Sequence, residues 1–278
     1  MLARQRQSLI LDEVRRHGGV RVSDLTAALA VSDMTVRRDL EELARRGLVD
    51  KVHGGAVMPG GSADEPGFEA KSARERHEKD LIAAAAAALV GPGQAIALSA
   101  GTTTWTLARH LVAVPGLTVV TNSVSVAEVF RPNAQHNGQT VVLTGGTRTP
   151  SDALVGPLAD AAIRSLNVDV LFLGVHGMDP RAGFTTPNLA EAQTNRTFLS
   201  HARRVVVLAD STKWRTIGLA GFGPLSAADV LVTDGGIAGT DTEAREVLEA
   251  TVGELVVVPA APAGTRPAVG DNQSEDAQ

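Results

Sequence analysis

Four short polar stretches in the second half of the chain hold the residue types best suited to binding an anion. Ser99-Ala100-Gly101-Thr102-Thr103-Thr104 follows the aliphatic run 95–98 and opens a helical pattern. Thr121-Asn122-Ser123 ends the run 117–121, Gly145-Gly146-Thr147-Arg148 follows 140–144, and Asp210-Ser211-Thr212-Lys213 ends 204–210. Glycine allows close approach of backbone amides, threonine hydroxyls add donors, and a helix N-terminus favours negative charge. Gly, Ser, Thr and Asn are also ordinary turn residues, so one such stretch alone is only a turn. Four of them behind four aliphatic runs, one carrying a lysine, specify a pocket for an anionic small molecule. Glu191 stands three residues after Asn188, the spacing of an N-cap and its capping-box partner, so capping and ligand contact are both open to it. His176, just after Gly174-Val175, is either a site residue or a turn histidine.

These stretches need a frame that brings them to one edge. Apolar runs at 95–98, 117–121, 140–144, 168–174, 204–210, 229–234 and 254–259 alternate with helical patterns near 104–113, 123–131, 153–166, 188–202 and 240–250. Continuous Val/Ile/Leu runs separated by helices predict a mostly parallel sheet covered on both faces, a Rossmann-like α/β fold. In such a sheet ligands collect at the carboxyl ends of the strands, where the four stretches fall. Ahead of it, 68–89 reads as one long helix running from charged residues into alanines, with His77 on a solvated face. Residues 58–67, MPGGSADEPG, read as a linker, and 260–278 lack apolar residues to bury and read as a disordered tail.

Residues 1–57 have a different rhythm. A helix is expected over 3–17 with Leu9, Ile10 and Val14 on one face, ended by Gly18-Gly19. A second begins at Val22-Ser23-Asp24 with Ser23 as N-cap and Leu25, Leu29 and Ala28 inward. Ser32 caps a third, its hydroxyl accepting from the amide of Met34 or Thr35, with Val36, Leu40 and Leu43 inward at i, i+4 and i+7. Its other face presents Asp33, Thr35, Arg37 and Arg38. Gly47 ends that helix, and 48–53 with Gly54-Gly55 form a small hairpin bearing Lys51 and His53. Two adjacent arginines alone are as well explained by a solvated surface. The ordered set of cap, turn, basic face and Gly-Gly hairpin is a winged helix-turn-helix, whose third helix enters a DNA groove.

Composition sets outer bounds. The net charge is −5, but residues 1–58 carry ten Lys/Arg against eight Asp/Glu, leaving sixteen against twenty-three in the remainder. A mildly basic module on an acidic body makes nucleic-acid contact local. No run of eighteen apolar residues offers a membrane span, and charges interrupt the N-terminal apolar segment where a signal peptide would be continuous. The chain has no cysteine. That excludes disulfides and thiolate metal sites and fits a reducing cytoplasm. No motif calls for a metal or a cofactor.

The run SDMTVRRDLEELARRGLVDKVHGGAV resembles the N-terminal domain of DeoR-type bacterial transcription regulators. The match is carried by Ser32, Thr35, Val36, Arg37, Arg38, Asp39, Leu40, His53, Gly54, Gly55 and Ala56. SAGTTTWTLARHL, VVTNSVSVA, VVLTGGTRTPSDALVGPLA, VDVLFLGVHGMD, GFTTPNLAEAQ and VLADSTKW follow the order of the same family's sensor domain, which is similar to ribose-5-phosphate isomerase. The chain departs from the family pattern at Asp50, Ser99-Ala100, His176 and Asn195. The resemblance implies a repressor of carbohydrate-metabolism genes, without catalytic residues, acting as a homo-oligomer (dimer or tetramer) on double-stranded operator DNA. Ser32, Asp33, Thr35, Arg37, Arg38, Lys51 and His53 would face DNA. Gly101, Thr102, Thr103, Asn122, Gly145, Gly146 and Lys213 would surround a phosphorylated sugar or related metabolite, with Asp152 and Glu191 contacting its hydroxyls. The alternative is a sugar-phosphate isomerase with an accessory DNA-binding domain, in which Glu191 and Lys213 would supply the acid/base pair.

Overall fold

The computed structural model describes residues 2–17, 19–52, 55–57, 67–72, 75–132, 136–237 and 243–259. The expected linker, apart from Gly67, and the expected tail lie outside these residues. The N-terminal unit contains α1 (Ala3–His17), β1 (Gly19–Arg21), α2 (Val22–Leu29), α3 (Asp33–Arg45), β2 (Asp50–Val52) and β3 (Gly55–Val57). Ile10, Val14, Leu25, Val36, Leu40 and Leu43 meet in one core with Val49 and Ala56. The i, i+4, i+7 spacing of Val36, Leu40 and Leu43 puts them on one helical face, so α3 is buried along that stripe and polar elsewhere. Asp39 pins α3 to α1. Its buried carboxylate accepts from Arg6 Nε and, at 3.1 Å, from Gln7 Nε2.

Three details differ from the expectation. Leu9 is exposed, because each residue turns about 100° around the helix and Ile10 and Val14 set the inward face. The second helix starts at Val22, placing Ser23 inside its first turn, and Ala28 points outward. Gly19 does more than end α1: it opens β1, which pairs antiparallel with β3 to give the order β1-β3-β2. The wing therefore has three strands.

The expected helix over 68–89 is two helices, α4 (Phe68–Ser72) and α5 (Arg76–Ala87). Glu75, with φ +47°, turns the chain between them. Then follow β4 (Ala95–Leu98), α6 (Thr102–Leu111), β5 (Thr118–Thr121), α7 (Val124–Phe130) and β6 (Thr140–Leu143). The chain continues through β7 (Thr147–Arg148), β8 (Leu154–Val155), α8 (Pro157–Arg164), β9 (Val170–Gly174), β10 (Gly177–Asp179), β11 (Gly183–Thr186) and α9 (Leu189–Leu199). It closes with β12 (Val205–Leu208), β13 (Ala220–Gly223), β14 (Val230–Asp234), α10 (Ala244–Thr251) and β15 (Leu255–Val258).

All seven expected strands lie in one parallel sheet, ordered β15-β14-β12-β9-β4-β5-β6. Successive residues of a strand point to opposite faces. Ala97, Leu171, Leu173, Val205, Val207 and Leu231 enter a core with Ile163, Phe198 and Leu248. Ile96, Leu98, Val170, Phe172, Val206 and Val232 enter another with Ile82, Leu107 and Phe130. Both faces are thus dry, which is why the strands read as uninterrupted apolar runs. Two small antiparallel sheets were not anticipated: the pair β7-β8, and β10-β11-β13. The strand order reverses direction between β4 and β9, which opens a crevice beyond their carboxyl ends.

Candidate functional site

The candidate pocket begins where β4 ends. Ser99 is buried, and its Oγ accepts from the Gly174 amide at 3.0 Å, tying the β4 and β9 ends together. Gly101 is the N-cap residue of α6, with Thr102, Thr103 and Thr104 in the first turn. Thr104 Oγ1 donates to the Gly101 carbonyl at 2.9 Å, holding that turn shut. The ten-residue helix α6 therefore presents its amide end, and the positive end of its dipole, at the switch point of the sheet.

Asn122 builds this pocket from beneath. Its Oδ1 accepts from the Ala100 amide at 2.8 Å and its Nδ2 donates to the Leu154 carbonyl at 3.0 Å. Both ends of the buried amide are engaged, so Asn122 fixes the loop after β4 against the β7-β8 hairpin. Asp152 plays a similar part. It is buried with φ +67°, accepts from the Ser125 amide and hydroxyl and from Ser123, and pairs with Arg148 Nε at 2.6 Å. These contacts wire the hairpin onto the start of α7. Glu191 accepts from Thr149 Oγ1 at 2.7 Å, from Ser151 Oγ and from Thr186 Oγ1 at 3.0 Å. Asn188 caps α9 as expected, its Oδ1 accepting from Ala190 and Glu191 amides. Sequence offered no sign of these partners, which lie up to 42 residues from Glu191.

Gly145 and Gly146 separate into two roles. A Cβ on Gly145 would meet nothing within 4 Å, so the space beside it is open to a ligand. A Cβ on Gly146 would sit 2.5 Å from the Val155 carbonyl oxygen, at a φ of +119°. Gly145→Ala should therefore lose about 1–2 kcal/mol, the cost of a left-handed backbone at a residue with a side chain. Gly146→Ala adds a backbone collision and should lower the melting temperature further. Thermal melts of the two variants compare them directly, and an equal loss would contradict the packing of β6 against the hairpin.

Lys213 ends a short 3-10 turn after β12 and is about one-third exposed, with Nζ 3.9 Å from Asp210 Oδ2. Asp210, which opens the same polar stretch, is buried. Its Oδ1 accepts from the Thr212 amide and hydroxyl, while Oδ2 accepts no hydrogen bond among the described residues. Burial pushes its carboxyl upward, but Lys213, the Thr212 hydroxyl and Lys79 together hold it below the ordinary value. Ionised Asp210 thus stabilises the fold above about pH 3.9, the unfolded value, and that stability is lost as pH falls through the lower folded value. Asp210→Asn should melt earlier than wild type at neutral pH, and the gap should close on acidification through this window. Next to it, Asp234 at the end of β14 accepts from the Ser211 amide at 2.6 Å and the Gly236 amide at 2.8 Å.

The candidate nucleic-acid face is the outer side of α3. Ser32 Oγ accepts from the Thr35 amide at 3.3 Å, one of the two amides expected. Asp33 pairs with Arg37 across one turn, Nε to Oδ1 at 2.5 Å, so part of the expected basic face is internally neutralised. Arg38 is exposed. Met34, which the sequence reading passed over, is 81% exposed in the first turn and suits apolar contact with a thymine methyl. Lys51 lies in β2, paired in register with Ala56 of β3. His53 lies outside the described residues. Ser32, Met34, Thr35 and Arg38 line one wall of a crevice of about 1280 Å³ whose other wall carries Glu75, Glu78, Ser211 and Asp234. Burial and the charges of Glu78, Asp210 and Asp234 raise the Glu75 pKa, and Arg46 at the end of α3 opposes them.

Comparison with known proteins falls on both units. Residues 74–235 match the family profile described as the DeoR C terminal sensor domain, and residues 6–60 match the DeoR-like helix-turn-helix domain. The chain is 36% identical over 238 residues to the uncharacterized HTH-type transcriptional regulator YgbI of Escherichia coli, covering 85% of this chain and 92% of that one. It is 36% identical over 250 residues to the HTH-type transcriptional regulator GlpR of Haloferax volcanii, covering 90% and 95%. The glycerol-3-phosphate regulon repressor of Escherichia coli is 29% identical over 231 residues, covering 83% and 90%.

Proposed function

The chain belongs to the DeoR family of helix-turn-helix transcription regulators, and from that premise we propose that α3 reads operator DNA under the control of a phosphorylated sugar or related metabolite bound at the sheet edge. One observation carries the ligand half of this reading. The amide end of α6 at Gly101 and the ammonium of Lys213 flank the reversal point of the sheet, with β9 between their strands. Adjacent strands lie about 4.8 Å apart, so the ends of β4 and β12, from which the two loops start, are about 10 Å from one another, on the scale of a phosphorylated sugar. Gly145 contributes open space at the same edge. Thr102 and Thr103 supply hydroxyls, and Asn122, Asp152 and Glu191 hold the surrounding loops, with Glu191 nearest in kind to a hydroxyl acceptor. A relative named for the glycerol-3-phosphate regulon supports a phosphorylated polyol as the ligand class.

DNA affinity would be set by population shift. In the arrangement described, the reading side of α3 looks onto the acidic wall formed by Glu75, Glu78 and Asp234. Operator binding requires those walls to part. A metabolite that binds one arrangement better moves the balance, and couplings of about 1–3 kcal/mol are typical. A homo-oligomer would place two copies of α3 at operator half-sites. The isomerase reading loses ground because the Glu191 carboxylate is already held by three hydroxyls. The relatives matched along most of their length are named as regulators. No helix among the described residues is long and apolar enough to cross a membrane.

A thermal-shift screen against phosphorylated sugars and polyols tests the proposal. A ligand at about 100 times its dissociation constant adds roughly 2.7 kcal/mol of stability. If no phosphoester raises the melting temperature in a Lys213-dependent way, the assigned pocket is wrong.

A further inference from the structure

The strand β6 ends the seven-stranded sheet, and among the described residues its outer edge is open. The Thr140 and Thr144 amides donate to the Leu117 and Thr121 carbonyls on the β5 side. Alternate residues of a strand turn their backbone groups to the same side, so Thr140, Val142 and Thr144 face β5. The amides and carbonyls of Val141 and Leu143 therefore point away from the sheet. Such a row is a template for another strand, and proteins blunt it with charge, proline, a bulge or a covering element. The opposite edge is blunted, since β15 runs directly into Pro259, which has no amide to offer. By contrast β6, reading TVVL, carries no charge and no proline, and its register with β5 is unbroken.

The side chains leave the same place uncovered. Val141 and Leu143 share the face toward α7, where Val141 packs against the core around Phe130 and Leu143 stays 44% exposed. With Ala127, Glu128 and Arg131 at the end of α7 they line a groove of about 410 Å³.

Two observations identify the occupant as a second copy of this chain. First, the edge complements itself. A two-fold axis at Val142 brings Val141 opposite Leu143 of the other copy, and each outward amide meets an outward carbonyl in an antiparallel pair. Leu143 then lies beside Val141 of the other copy, an aliphatic cross-strand contact made twice. Second, the charges agree. Beyond residue 58 the chain carries sixteen Lys/Arg against twenty-three Asp/Glu, so the body as a whole repels its own copy. The groove instead holds one carboxylate and one guanidinium, Glu128 and Arg131, paired at 3.0 Å one turn apart. The axis runs the two α7 helices antiparallel, which sets acid and base of one copy against the reverse order in the other. It also closes the assembly, whereas β6 against β15 would leave an open chain of copies.

We propose that β6 and α7 form an interface between two copies of this chain, joined edge to edge into one continuous sheet. The inference rests on the homo-oligomer proposed for operator half-sites and gives it a surface.

Sedimentation of the full chain, with hydrogen exchange at the Val141 and Leu143 amides, tests this. Wild type should self-associate, and dilution should speed exchange of both amides as the copies part. Leu143→Lys changes an exposed position and should weaken association about thirtyfold or more, the effect of losing a central interface residue. Glu128→Arg should weaken it through like charges across the axis, and adding Arg131→Glu should restore it. The exchange measurement on wild type keeps the test valid even if a variant fails to fold. Association unchanged by Leu143→Lys, with both amides exchanging fast in the associated form, overturns the β6 surface and leaves the homo-oligomer standing. Slow exchange in a monomer assigns the edge to another part of the same chain and overturns the surface as well. A wild type that stays monomeric with both amides open overturns the surface and the homo-oligomer together.

Discussion

Lys213→Ala protein should bind operator with the same affinity whether or not a phosphorylated ligand is present. Wild type should show a response of roughly 5- to 150-fold, the usual range for linked sites. The lysine supplies a full positive charge at the end of β12, 3.9 Å from the buried Asp210, as Arg148 does beside Asp152 in the β7-β8 hairpin. A hydrogen bond to a charged group contributes about 1.5–3 kcal/mol, so its loss weakens ligand binding by roughly ten- to 150-fold. Ligand concentrations that saturate wild type then leave the variant empty. Lys213→Arg keeps the charge and should recover part of the response. The measurement is a gel-shift titration of operator with and without the phosphoester that scores in the thermal-shift screen. A response of normal size in Lys213→Ala would remove the anion site from the end of β12. A melting curve separates loss of response from loss of folding, because removing the cation beside the buried Asp210 also costs some stability.

The parts of this molecule that could be read from its sequence are those where one physical cause acts over several adjacent residues. The strands of the parallel sheet are dry on both faces, and so Val170 to Leu173 or Val205 to Leu208 stand out as apolar runs. The cap on α3 is a local matter between Ser32 and Thr35. What escaped reading depends on partners far away in the chain or on elements too short for a period. The strand β1 has three residues and is a strand only because β3 lies beside it. The break before α5 falls at Glu75, where neither glycine nor proline announces a positive φ. Lys79 stands in a charged run, yet it is buried and donates to the Lys71 carbonyl at 2.7 Å. Asn122 and Asp152 carry the same lesson at the site. Their residue types suggest ligand contact, yet their hydrogen bonds hold Ala100, Leu154, Ser125 and Arg148 in place. They matter to the pocket through the loops they position.

On the DNA side the structure separates two arginines that the sequence treats alike. Arg38→Ala should weaken operator binding by about 1–3 kcal/mol, or roughly 5- to 150-fold, without altering the melting curve. Arg38 is exposed on the outer side of α3 near its start, where polar residues of a reading helix reach phosphates and base edges. The salt dependence of binding distinguishes the two kinds of contact. A lost phosphate contact lowers the slope of log affinity against log salt by about one, whereas a lost base contact relaxes sequence preference. Arg37 is paired with Asp33, and together they present little net charge to the groove. Arg37→Ala leaves the Asp33 carboxylate facing the phosphates, so its loss of affinity should be partly relieved by adding Asp33→Asn. The same addition should leave the Arg38→Ala loss unchanged. A double-mutant cycle over these positions therefore reads the pairing from binding data alone. If Arg38→Ala binds operator as wild type does, the outer side of α3 is not the surface that meets DNA.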